Sequence, residues 1–213
     1  MKLKVCLLLS LLFSIISISA FPLIDRSCND FSLIEKLVKD TSCFVESGVK
    51  VEYESDLSAD KTINSILKKV KQNYSDESIY IANNEISLKN DISEIKINVY
   101  DRGDKTLVEA IITNFTKEKK ILNLIQELSQ LQVNTSNRPR YFKYVKGKIN
   151  NTEEGLYIVE ETKRIKDIDT LDIHDGYVGT GKLQDGERVN FAVSNYDKGT
   201  YLVIGTPIIF STY

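Results

Sequence analysis

Ile95-Lys96-Ile97-Asn98-Val99-Tyr100, then Asp101-Arg102-Gly103-Asp104, then the apolar-rich run Leu107 to Phe115, is the stretch that decides the fold. Ile95, Ile97 and Val99 alternate with Lys96, Asn98 and Tyr100. Side chains on a strand point to opposite faces in turn, so this period of two predicts a strand with one buried and one wet face. The Asp-Arg-Gly-Asp tetrapeptide supplies turn residues, and Leu107 to Phe115 returns as a second strand. Two strands of this kind joined by a short turn imply an antiparallel sheet that must bury one face against something else.

Helices flank it. Phe31, Ile34, Leu37 and Val38 recur at helical spacing between Asp30 and Asp40. Ser58 is a candidate N-cap, with Asp60 in the first turn and Ile63, Ile66, Leu67 and Val70 as the buried stripe. Thr116 is a candidate cap for the clearest helix, whose face is Ile121, Leu124, Ile125, Leu128 and Leu131. Between these elements, Val49, Val51 and Tyr53 alternate with Lys50, Glu52 and Glu54. Ile79 to Ala82 and Glu85 to Leu88 flank Asn83-Asn84 as a hairpin.

Asn134 to Pro139 is a short polar candidate linker. Beyond it Arg140 to Ile149 reads as a strand. Asn151-Thr152-Glu153-Glu154 reads as a helix start, and Leu156 to Val159 fits a helix or a short strand, because Gly155 weakens the helix. Gly176 to Leu183, Arg188 to Ser194 and Tyr201 to Phe210 read as three more strands. The expected class is α+β: two similar halves, about residues 43–133 and 139–213, each a strand, a helix and an antiparallel sheet, with the helices on one face.

The N-terminus opens Met1-Lys2-Leu3-Lys4 and continues apolar from Val5 to Ala20, with small residues at Ser17, Ser19 and Ala20. Residues 1–20 therefore read as a secretory signal peptide or an N-terminal membrane anchor, and either places residues 21–213 outside the cytoplasm. The net charge of the 213 residues is −2, and about −4 without Lys2 and Lys4, which weighs against polyanion binding by the whole domain. Cys28 and Cys43 bracket the first helix. A helix of that length would hold them on the order of 20 Å apart, whereas a disulfide needs Cα atoms within roughly 7 Å.

No set of side chains has catalytic or metal-ligand spacing, and no cofactor is expected. His174, the single histidine, sits in Asp172-Ile173-His174-Asp175 and reads as a surface loop rather than a general base, since no partner groups can be named. Arg102-Gly103-Asp104 is turn chemistry. The candidate ligand residues are Arg138, Arg140, Phe142, Tyr144, Lys146 and Lys148, where basic and aromatic side chains interleave as they do in proteins that grip anionic polymers. Alternation puts Arg140, Phe142, Tyr144, Lys146 and Lys148 on one strand face and Tyr141, Lys143 and Val145 on the other. A plain amphipathic strand explains the same pattern.

The C-terminal run Gly186-Glu187-Arg188-Val189-Asn190-Phe191-Ala192-Val193, followed by Tyr196-Asp197-Lys198-Gly199-Thr200-Tyr201-Leu202-Val203-Ile204-Gly205-Thr206-Pro207-Ile208-Ile209, resembles the YwmB family, small exported proteins of low-GC Gram-positive bacteria. The resemblance rests on Asn190, Ala192, Gly199, Gly205, Thr206 and Pro207. It implies a fold similar to the TATA-box-binding protein, and no established activity or ligand. Gly205-Thr206-Pro207 has a sufficient backbone explanation, a bulge or close approach that interrupts the last strand.

The expected function is that of an exported, non-enzymatic envelope protein that binds a partner protein or an anionic wall polymer. A nucleic-acid binder and a wall-acting hydrolase are the alternatives; specific duplex DNA binding is not expected. Charge on the open sheet face separates the first two. A strongly positive face would favour nucleic acid, and a neutral, aromatic one a partner.

Overall fold

The computed structural model describes residues 27–74, 79–133 and 137–210. Residues 1–20, read as signal peptide or anchor, lie outside them, as do 134–136 of the candidate linker. Among the described residues, no helix is long and apolar enough to cross a membrane.

Among the described residues, four helices and one ten-stranded antiparallel sheet make up the α+β fold. Helix α1 is Ser27–Thr41. Strand β1 (Cys43–Ser55) and helix α2 (Ala59–Asn73) precede β2 (Ile79–Ala82), β3 (Glu85–Lys89), β4 (Ser93–Asp101) and β5 (Thr106–Asn114). Helix α3 (Ile121–Leu131) leads to β6 (Arg140–Ile149) and helix α4 (Thr152–Glu161). The chain ends in β7 (Lys166–Ile173), β8 (Gly176–Lys182), β9 (Arg188–Tyr196) and β10 (Gly199–Thr206). The sheet order is β2-β3-β4-β5-β1-β6-β10-β9-β8-β7, with β1 and β6 at its centre.

Alternation decides which side is covered. Val49, Val51 and Tyr53 of β1, Ile95, Ile97 and Val99 of β4, Val108, Ala110 and Ile112 of β5, and Val189, Phe191 and Val193 of β9 are buried. They form one core with Phe31, Ile34 and Val38 of α1, Ile66 and Val70 of α2, Leu124, Leu128 and Leu131 of α3, and Ile158 and Val159 of α4. All four helices therefore lie on one face of the sheet. Among the described residues no helix covers the opposite parity of the strands, which forms an open face.

Several details differ from the sequence reading. Helix α3 starts at Ile121, not after Thr116, because the Asn114 side chain captures Thr116: its Oδ1 accepts from the Thr116 hydroxyl at 2.9 Å. Ser58 holds the N-cap position of α2 without a side-chain capping bond. Residues 152–161 are helical despite Gly155. Asn151 caps them, its side chain accepting from the Glu154 amide at 2.8 Å. A Cβ on residue 155 would come within 2.7 Å of Val193 and 2.8 Å of Ile149, so the glycine lets α4 sit close on the sheet. Strand β7 had no counterpart in the reading, since all but one of its residues are exposed and it buries no stripe. The last strand ends at Thr206, not Phe210. Cys43 is exposed and free.

Tyr53 carries a pH-dependent part of the stability. Burial pushes its phenol up to about 12, despite an amide bond from Val133 that opposes the shift. Tyr74 shifts in the same direction, by burial and then by its bond to Glu127. Unfolded tyrosine ionises near pH 10. Above that pH the unfolded chain sheds a proton that the folded chain keeps, so folding weakens as pH rises. The Tyr53 contribution is complete below about pH 10 and lost towards pH 12, roughly 2–3 kcal/mol for a two-unit shift. Urea unfolding at pH 9 and pH 11.5 is expected to show a smaller alkaline loss in Tyr53→Phe than in the unsubstituted chain. Equal losses would mean that Tyr53 ionises freely.

Candidate functional site

The open face is read off the strand register. Lys50 stands beside Ile111 and Phe142, Glu52 beside Glu109 and Arg140, Gly48 beside Thr113 and Tyr144, and Glu46 beside Lys146. Lys96 and Glu94 continue the face on β4, Glu85 and Lys89 on β3. Over these five strands Glu46, Glu52, Glu54, Glu85, Glu94 and Glu109 oppose Lys50, Lys89, Lys96, Arg140, Lys146 and Lys148, and the charges cancel.

Much of that charge is paired within the face. Lys50 Nζ lies 2.8 Å from a Glu52 carboxylate oxygen and 3.4 Å from one of Glu109. It also sits 4.6 Å from the centre of the Phe142 ring and 5.8 Å from that of Phe210. Arg140 reaches Glu52 at 2.7 Å. An exposed pair contributes only about 0.2–1 kcal/mol. Lys50 and Glu52 are largely shielded, and held between rings and carboxylates Lys50 is poorly available to a polyanion.

The chain crosses this face at its C-terminal end. After a cis peptide between Thr206 and Pro207 the backbone turns back over the sheet. A Cβ on residue 205 would lie 2.9 Å from the Ile209 side chain and 3.0 Å from the Lys143 carbonyl, so Gly205 permits the close approach that the sequence suggested. Phe210 then meets the Tyr144 ring edge-to-face, centroids 5.0 Å apart, and the Tyr144 hydroxyl donates to Glu46 at 3.0 Å. The turn is tied down by the Thr206 hydroxyl, which donates to the Arg188 carbonyl at 2.8 Å, and by the Asn190 amide, which donates to the Pro207 carbonyl.

Three grooves open on the face. The first, about 630 Å³, is lined by Glu52, Glu54, Tyr100, Asp101, Arg102, Glu109, Arg138 and Arg140, among others. The second, about 350 Å³, runs between Ile111, Phe115, Lys96 and the wall made by Tyr144, Lys146 and Phe210. The third, about 380 Å³, lies across Leu171, Val178, Ala192 and Ile209. The C-terminal segment thus borders two of them, Phe210 on one side and Ile209 on the other.

The six candidate ligand residues do not gather in one place. Arg138 and Arg140 line the first groove; Tyr144 and Lys146 line the second. Phe142 is buried beneath Lys50. Lys148 lies farther along, donating to the Lys198 carbonyl at 2.7 Å with its ammonium 6.0 Å from the Tyr201 ring centre. The intervening Lys143 points to the helix side, where it is buried near Glu187 (3.4 Å) and the Phe31 ring (5.8 Å). His174 stands in the β7–β8 turn with a 97% exposed side chain, 3.9 Å from the Asp175 carboxylate. Of the residues that carry the sequence resemblance, Gly199 supplies the β9–β10 turn at φ 124°, and Ala192 faces the third groove.

Sequence reading missed Tyr100, Arg102, Leu171, Ile209 and Phe210 as groove residues. The alternation of 95–100 already turned Tyr100 outward. Nothing local marked the return of Ile209 and Phe210, because their partners Gly205 and Tyr144 belong to other parts of the sheet. No protein-family model and no curated protein matches the chain.

Proposed function

We propose that the chain is an exported, non-enzymatic envelope protein that binds a partner protein on its open sheet face. The observation that carries this reading is that the face combines three grooves and exposed aromatic side chains with charges that cancel. Partner-binding surfaces are enriched in aromatic residues and are not strongly of one sign. An anionic wall polymer and duplex DNA would both draw on excess cationic charge, and the Lys and Arg residues here are matched by neighbouring carboxylates.

We further infer membership of the YwmB family and a duplicated fold similar to the TATA-box-binding protein. A strand, a helix and four antiparallel strands occur in β1 to β5 and again in β6 to β10. The sheet order is symmetric about the β1–β6 pair. In the motif, Asn190, Thr206 and Gly205 hold the C-terminal turn, a backbone role that suits any ligand. The signal-like N-terminus supports a working place outside the cytoplasm.

The test is photocrosslinking in cells from single positions of the full chain. Tyr100 and Tyr196 lie on the open face, and Tyr157 is exposed on α4. A defined, protease-sensitive adduct is expected from positions 100 and 196 and not from 157. Equal adducts from all three positions, or a phosphate-rich polymer in place of protein, would reject the reading. Fluorescence anisotropy with AT-rich and GC-rich duplexes at about 150 mM salt is expected to show no sequence-selective binding, in a regime where specific binders reach roughly 10⁻⁸ M.

A further inference from the structure

We propose that β7 is a docking edge that takes an extended basic and aliphatic segment of a partner protein as an added strand. The inference rests on the partner-binding reading above and names where, and to what chemistry, the partner attaches.

The two ends of the sheet differ. At one end β2 is four residues long, and a short edge offers little to pair with. At the other, β7 is eight residues long and, among the described residues, pairs only with β8. Its register with β8 runs without interruption from Asp169 to Ile173; the irregularity lies earlier, between Lys166 and Asp169. The strand contains no proline, and its one lysine is its first residue. Proline and lysine, two of the devices that blunt an edge, are missing where the ladder is regular, and the charges there are the acidic side chains of Asp169 and Asp172, which repel acidic strands but not a basic one.

The edge also carries an apolar strip. Leu171 is 65% exposed and Ile173 37%. Both share the open face with Val178 and Ala192, which stand beside Leu171 in register, and Ile209 closes the third groove next to them. An incoming strand would place one side chain against Leu171 and cover this strip. Added strands gain affinity from main-chain hydrogen bonds and specificity from such alternating contacts.

Charge sets the rest of the pattern. Asp169 is on the open face with Leu171, and Asp172 points to the opposite side of the strand. Among the described residues neither makes an ion pair, whereas Asp167 pairs with Lys182 at 3.4 Å and Asp175 lies beside His174. Opposite Asp169, Leu171 and Asp172 a partner strand therefore fits best with a basic, an aliphatic and a basic residue. A second copy fits poorly. Directly opposite side chains share a face, so antiparallel pairing of β7 with itself must centre on one residue. About Leu171 it sets Asp169 opposite Ile173 and Asp172 opposite Thr170; about Thr170 it sets Asp169 opposite Leu171 and Asp172 opposite Ile168. Neither register gives either aspartate a basic partner.

The probe is the acetylated and amidated peptide Thr-Val-Lys-Val-Thr-Lys-Thr, with a control carrying Glu in place of Lys. Amide exchange of the unsubstituted chain is expected to slow within Asp169–Ile173 on adding the Lys peptide, with at least tenfold weaker binding of the Glu peptide at about 150 mM salt. Leu171→Asp, and Asp169→Lys with Asp172→Lys, are each expected to weaken the Lys peptide at least tenfold; these exposed sites leave the fold intact. Equal binding of the two peptides, protection elsewhere, indifference to Leu171→Asp, or protection of β7 that tracks dimer formation in sedimentation would overturn the proposal. The photocrosslinks separate the two readings. Adducts from positions 100 and 196 that survive Leu171→Asp overturn the edge and keep the open face. Loss of the position-196 adduct in Leu171→Asp supports the edge.

Discussion

Glu35→Ala is expected to cost about 3–5 kcal/mol of folding stability, the range found when one member of a buried ion pair is removed. Glu35 lies on α1 at 3% exposure. One of its carboxylate oxygens takes the Lys39 ammonium at 2.7 Å, and both accept the Ile121 amide, at 3.0 and 3.1 Å. That amide belongs to the first turn of α3, which has no acidic residue of its own. Glu35 is thus the cap of a helix 86 residues away, placed where the helix dipole favours negative charge. Removing it leaves a buried ammonium whose remaining described partners are the Lys119 carbonyl at 2.8 Å and the Phe44 ring. Glu35→Gln retains an acceptor for Ile121 and should lose less. Adding Lys39→Met to Glu35→Ala should recover at least half of that loss, because an apolar replacement removes the uncompensated charge. Urea unfolding with an unchanged denaturant slope measures all three. A loss below about 1 kcal/mol for Glu35→Ala, the range of an exposed pair, would mean that water screens the pair.

Phe191→Ala is expected to cost a similar 3–5 kcal/mol, the usual range for a buried phenylalanine. Phe191 is 1% exposed on β9 and its ring lies over Gly179 of β8. A Cβ at position 179 would come within 2.2 Å of the ring and 2.7 Å of the Asp169 carbonyl. Gly179→Ala should accordingly cost about 1–3 kcal/mol by overpacking. The two substitutions test one arrangement from opposite sides: the ring is large because the facing position is empty. A neutral Gly179→Ala would show that β7 and β8 yield easily. Such yielding would show as fast amide exchange in β7 before any partner is added.

Most elements were legible because their chemistry is local. Period-two alternation in 49–54 and 95–100 declares a half-buried strand in any context. The leucine and isoleucine stripe of 121–131 declares a helix face in the same way. Asn83-Asn84 marked a hairpin turn, and Asn83 does adopt φ 50°. Other features were illegible because their causes are distant in sequence. Strand β7 buries almost nothing, so alternation left no trace, and only pairing with β8 makes it a strand. Thr116 looked like a cap until Asn114 claimed it. Gly155 looked like a helix breaker until Val193 required its space.

The candidate site divides along the same line. Sequence by itself determined the α+β class, the near-balance of charge, and the shared face of Arg140, Phe142, Tyr144, Lys146 and Lys148, because composition and strand parity need no knowledge of neighbours. Only the tertiary structure decided which of those side chains are engaged. It buries Phe142 under Lys50, brings Phe210 back onto Tyr144, separates Arg138 from Lys148, and leaves β7 at an edge. Each of these depends on strands brought together from far apart in the chain, and burial, ion pairing and edge exposure are properties of those contacts rather than of any one segment.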